Sequence, residues 1–281
     1  MDGYFTTKEV VENYIKGCRT KLSMTAARTI GKAIMAGMMI AMGAGISSVA
    51  AHTVKDVGLA RLAAAVVFPM GLMMVILLGA ELFTGDCLVA MSVFDKKEKL
   101  SDCIKLLFYV YIGNLIGATL TAWFISMSGQ YNYSGGMLGA YTIKVAIGKA
   151  NISFGQGVIS GILCNILVCA AVLMAMCAKD ITGKLLASFF VIMLFVTGGF
   201  EHCVANMYYI TAGLLAKNNP EYVKLAMDTY GYTKEYMSSL NLFNYFVTNL
   251  IPVTIGNMLG GVFCVGAPLY YLNREAKENG K

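Results

Sequence analysis

The chain has 281 residues, a mean hydropathy of +0.65, 57% hydrophobic residues and only 14% charged ones. An ordinary soluble domain carries roughly 25% charged residues, so this composition excludes one and points to a membrane protein. The formal net charge of +6 collects in segments that would flank membrane spans, and it gives no reason to expect nucleic-acid binding.

The first 22 residues, MDGYFTTKEVVENYIKGCRTKL, lack the continuous apolar core of a signal peptide. A Thr6-x-x-Glu9 capping box opens an amphipathic helix with Val11, Ile15, Cys18 and Leu22 on one stripe. Two expectations follow for this cytoplasmic segment, taken as residues 1–28: a helix lying at the headgroups, or a cover over a pore.

Six apolar runs are long enough to cross a hydrocarbon core, which takes about 20 helical residues. They cover roughly 30–51, 62–80 continuing brokenly to 94, 104–127, 152–177, 185–216 and 244–272. The runs are apolar all round rather than alternating, so helices are expected and not a barrel. The fold class is an all-α bundle of six spans, with residues 29–281 forming the membrane domain. Lys8, Lys16, Arg19, Lys21 and Arg28, then Lys96, Lys97, Lys99 and Lys105, then Lys179 and Lys184, then Arg274, Lys277 and Lys281 fall on one side of six spans. The opposite side holds Lys55, Arg61, Lys144, Lys217, Lys224 and Lys234, which places both termini in the cytoplasm of a cell whose cytoplasmic membrane the chain crosses. An insertion at 217–243 is expected to fold as an outer loop with short helical pieces. Eight cysteines without a C-x-x-C pair lie mostly in apolar runs, so neither a disulfide framework nor a metal site is expected, and no cofactor.

The halves of the chain repeat each other. GNLIGATL at 113–120 matches GNMLGGVF at 256–263, and polar breaks interrupt the second and fifth spans, GAELFTGDC at 79–87 and GGFEHCVAN at 198–206. With three spans per half the repeats, about 29–128 and 150–272, must be inverted. Broken helices at matching positions of inverted repeats point to a transport site near the midplane. Each break frees the N-terminus of a half-helix, whose N–H groups can face an anion. Thr84 and Asn206 can bond a substrate or loose backbone there. Gly113, Gly117, Gly256 and Gly260 let helices approach closely, and Asn114 and Asn257 can bridge them. A carboxylate lining an anion path would defeat it, so Glu81 and Glu201 are expected to hold the half-helices by hydrogen bonds.

ELFTGD, GNLIG, Lys149 before the fourth span, CNILVC at 164–169, GFEHCVANMY at 199–208 and IPVTIGNMLGG at 251–261 together resemble the formate/nitrite transporter family, with an overall likeness to its clostridial hydrosulfide-channel branch. The resemblance implies an aquaporin-like protomer, a homopentamer in the lipid bilayer with one pore per subunit, and passage of small monovalent anions: hydrosulfide first, with formate and nitrite. It places His202, Thr84, Asn165 and Lys149 at the pore, the last biasing the field at its entrance. It also places Phe68 and Phe195 at an outer constriction, and Leu72, Leu82, Phe83 and Val168 at an inner one. His202 could protonate the anion in transit or only donate a hydrogen bond. A passive channel is favoured over a proton-coupled formate or nitrite transporter. Paired N-P-A blocks, a bis-histidine site and a G-x-x-x-x-G-K-[ST] loop are all missing from the sequence, which argues against a water channel, a haem enzyme and an ATP-driven pump.

Overall fold

The computed structural model describes residues 3–273, so the basic tail of Arg274, Lys277 and Lys281 lies outside the described residues. The helices are α1 (Thr7–Leu22), α2 (Ala26–Ala51), α3 (Val57–Leu78), α4 (Phe83–Phe94), α5 (Leu100–Met127), α6 (Met137–Ala150), α7 (Phe154–Cys177), α8 (Ile181–Gly198), α9 (Cys203–Ala216), α10 (Pro220–Tyr230), α11 (Lys234–Ser238) and α12 (Asn244–Asn273). Six of them, α2, α3, α5, α7, α8 and α12, are long and apolar enough to cross a membrane, while α4 and α9 are half-length continuations of α3 and α8.

The spans start earlier than their apolar cores. Thr25, Asp56 and Asp180 accept hydrogen bonds from the backbone N–H groups of Arg28, Leu59 and Gly183, so each helix opens with a polar first turn that an apolar run leaves out. The sequence reading also had no helix at α6, whose mixed GAYTIKVAIGKA run packs along α9 and brings Lys149 to its last turn.

Two helix crossings carry the repeat. In the first half α2 lies against α5, where a Cβ on Gly117 would collide with the Ile34 carbonyl. In the second half α7 lies against α12, where a Cβ on Gly256 would collide with the carbonyl of Val158. With lipid outside, helix association depends on close packing of this kind. α12 is not a plain α-helix: residues 244–250 and 260–266 are wider π turns, which re-aim Asn249 and bring Gly261 against Asn165 and Cys169.

α1 lies across one end of the bundle. Tyr4 bridges to Ala178, and the buried stripe of Val10, Val11, Tyr14, Ile15 and Cys18 packs against protein, so it does not face headgroups. At the far end α6, α10 and α11 fold over the bundle, and the 217–243 insertion is two short helices as expected.

Candidate functional site

Both breaks are built alike. Gly79 and Gly199 end α3 and α8 in the left-handed conformation, with φ of +63° and +69°. Left-handed backbone suits glycine, which has no Cβ to clash. Four residues later a new helix begins. The freed backbone groups are met by one asparagine per break. Asn114 accepts from the Phe83 N–H at 2.9 Å and donates to the carbonyls of Glu81 at 3.0 Å and Ala33 at 2.8 Å. Asn257 accepts from the Cys203 N–H at 2.9 Å and donates to Glu201 at 3.0 Å and Gly161 at 2.8 Å. Each asparagine thus ties its break to the crossing beneath it, in a site where an unpaired amide would be costly.

The two half-helices begin at the same depth and touch. Thr84 Oγ1 lies 3.0 Å from His202 Nε2, and both residues are buried. His202 caps α9: its Nδ1 accepts the Ala205 N–H at 3.0 Å. A backbone N–H can only donate, so the neutral ring carries its proton on Nε2 and donates it to Thr84, whose own hydroxyl hydrogen is then free for another acceptor. Above this pair the rings of Phe68 and Phe195 meet edge to face at 5.4 Å, with Phe195 6.0 Å from the His202 ring.

Each glutamate of a break meets a lysine, and Glu201 also ties α9 by accepting from Asn206, while the backbone capping expected as one of their tasks falls elsewhere. Asn114 and Asn257 do that work. Lys149 Nζ sits 3.0 and 3.1 Å from the two carboxylate oxygens of Glu201 and 5.3 Å above the Tyr209 ring. Lys149 is therefore paired with a carboxylate. Asn206 donates to Glu201 at 2.6 Å and to Asn249 at 2.9 Å, and Asn249 holds the Lys149 carbonyl at 2.9 Å. In the other half Lys21 bonds Glu81 at 2.6 Å and Asp86 at 2.5 Å, with Lys32 3.6 Å from Glu81. Lys21, Asn249 and Arg61 were missed in the sequence. A buried carboxylate needs a cation, so Glu81 could have drawn attention to Lys21 once Lys149 had been matched to its repeat partner.

A cavity of about 510 Å³ opens at the far end and reaches from Lys55 and Val57 down to Phe68, Phe195 and His202, with Lys149, Glu201 and Asn206 in its wall. Lys55, Arg61 and Lys144 also line it, and none of these three forms an ion pair with a described carboxylate. Thr84, Asn165, Leu72, Leu82, Phe83 and Val168 are buried below, outside that lining. Asn165 donates to the carbonyls of Thr84 at 3.1 Å and Asn257 at 2.6 Å, so its amide is spent on the frame of the site. The Phe83 ring stands on Tyr111 at 5.0 Å. At the opposite end Tyr14 Oη donates to the Gly85 carbonyl at 3.2 Å, which places α1 directly over α4.

Inverted repeats, facing half-helices and six spans define a membrane channel or transporter of aquaporin-like fold. The aquaglyceroporin from Plasmodium falciparum has the same fold at a TM-score of 0.52 and 16% identity, covering 88% of this chain and 100% of that one. The sequence profile described as formate/nitrite transporter matches residues 8–271, and the chain belongs to that family. It is 36% identical over 220 residues to the formate channel FocA of Haemophilus influenzae, covering 77% of this chain and 76% of that protein. A solved pentameric formate channel with formate bound superposes with a TM-score of 0.78 at 31% identity, over 88% of this chain and 97% of that one. Its relatives are channels and transporters rather than enzymes.

Proposed function

We propose that the protein is a passive channel for small monovalent anions across the cytoplasmic membrane, assembled as a homopentamer with one path through each subunit. Formate leads among the anions, since the similar proteins named above are formate channels. Hydrosulfide, which the family resemblance favoured, and nitrite are likewise small, singly charged and conjugate to weak acids. The excess of lysine and arginine around α1 supports a cytoplasmic placement of that end and, with six spans, of both termini.

The observation that carries this reading is the Thr84–His202 contact between two helix N-termini beneath a cationic cavity. Lys55, Arg61 and Lys144 gather anions, a task the ion pair at Lys149 shares less than the sequence implied. Phe68 and Phe195 strip water from the ion, which favours weakly hydrated species. The anion then meets the free Thr84 hydroxyl hydrogen, where the positive dipole ends of α4 and α9 converge. Leu72, Leu82, Phe83 and Val168 form the apolar stretch below, and α1 covers the cytoplasmic mouth. Because Nδ1 of His202 is engaged in capping, the ring acts as a hydrogen-bond donor that orients Thr84. Handing a proton to the anion would require breaking that cap or leaving an anionic ring.

Flux of formate, hydrosulfide, nitrite and chloride into proteoliposomes, with and without a protonophore, tests the proposal. Fast formate and hydrosulfide entry that generates a membrane potential supports a channel. Electroneutral uptake that collapses a proton gradient would show coupled transport instead.

A further inference from the structure

The far-end cavity is larger and more aromatic than passage of a three-atom anion needs. Its volume of about 510 Å³ falls in the range of roughly 300–1,000 Å³ typical of pockets for drug-sized ligands. Phe68 and Phe195, both buried, and the half-buried Phe200 are in its lining, together with Tyr141 and Tyr209. Arg61 is built into it: its Nη1 donates to the Thr197 carbonyl at 3.3 Å, and its guanidinium packs on Gly199, where a Cβ would collide with it. That single bond leaves most of the guanidinium donors for a ligand. Lys144 Nζ is held at the cavity between the Tyr141 and Tyr230 rings, at 5.4 and 4.8 Å.

From an apolar aromatic floor beneath fixed cations, we infer that this vestibule is a binding site for aromatic monocarboxylates, which it holds and does not pass. The ring would rest against Phe68, Phe195 and Phe200, too wide to follow a small anion between Phe68 and Phe195, with the carboxylate turned toward Arg61 and Lys144. Such a ligand plugs the path from the far end. The inference rests on the reading of this cavity as the mouth of the conduction path.

Titration calorimetry of phenylacetate into the detergent-solubilised oligomer tests the site without any flux, with acetate and benzyl alcohol as probes that lack the ring or the charge. Saturable phenylacetate binding is expected, with acetate and benzyl alcohol each at least about tenfold weaker. Arg61→Gln and Lys144→Gln should each weaken it about tenfold, and Lys224→Gln, on the outer loop away from the cavity, should not. Thermal unfolding midpoints near the wild-type value show that the variants are folded; should Arg61→Gln fail to fold, Lys144→Gln decides. The inference is overturned by the absence of saturable heat, by equal affinity for acetate, or by phenylacetate affinity unchanged in the folded variants. Formate flux measured separately keeps the two readings apart: flux without phenylacetate binding sinks only the site, and binding without flux sinks only the transport reading.

Discussion

The two breaks share a frame and differ in charge. In both, a left-handed glycine ends one helix, an asparagine from the third span of the same repeat caps the next, and a glutamate meets a lysine. Five residues after the glutamate, however, the first repeat has Asp86 and the second Asn206. Lys21 bridges Glu81 and Asp86 while Lys32 stands 3.6 Å from Glu81, so two lysines face two carboxylates near the α1 end and the formal charges sum to zero, just as the single Lys149–Glu201 pair does in the other half. The two halves share the frame that fixes the half-helices and differ in how they balance charge.

That contrast can be broken at several points. The largest effect is expected for Glu201→Gln, which leaves Lys149 without its counter-charge; losing one partner of a buried pair costs about 3–5 kcal/mol. Glu81→Gln should cost less, because Lys21 keeps Asp86. Oligomer melting by size-exclusion fluorescence orders the two, and an equal or reversed order would contradict this account of the clusters. Next come Asn114→Ala and Asn257→Ala, expected to destabilise by similar amounts of about 2–3 kcal/mol, since each strands the same set of break groups. A large disparity between them would mean that the frame is not shared. Smaller still is Asp86→Asn, at about 1–2 kcal/mol, because it leaves one positive charge in excess. Adding Lys32→Gln should recover part of that loss, and a double variant that loses the sum of the two single effects would remove the charge-balance argument. The smallest effect concerns the start of α1. The Thr6 backbone N–H and then its hydroxyl hold the Glu9 carboxyl below its ordinary value. A lowered folded-state pKa gives stability that is present above the unfolded value and lost as pH falls through the folded one. Amide protection in the first turn of α1 should therefore persist at neutral pH and fade only below the usual carboxylate range.

Much of the frame was legible because its causes are local or repeated. Glycine spacing, polar residues inside apolar runs and the matched GN blocks all have a direct physical meaning in a span, and they led to the six spans, the breaks and the bridging role of Asn114 and Asn257. The pairing of Lys21 with Glu81 was not legible: sixty residues separate them, and a lysine near an amphipathic helix has an ordinary place at a membrane surface. α6 was missed because its apolar positions are diluted by Tyr141, Thr142, Lys144 and Lys149, and its partner α9 is remote in sequence. Lys149 itself was found but its pairing was not, since only the fold brings Glu201 to it.

In the proposed function, His202 serves the path as a hydrogen-bond donor whose ring is fixed by capping α9. Formate flux into proteoliposomes by stopped flow, comparing wild type with His202→Asn and His202→Ala, tests it most directly. Asparagine can cap the helix and donate to Thr84 but has no proton to give. The account predicts His202→Asn flux within about tenfold of wild type and His202→Ala flux far below it. If His202→Asn is as inactive as His202→Ala while remaining folded, proton transfer from the imidazole is required and the account is wrong.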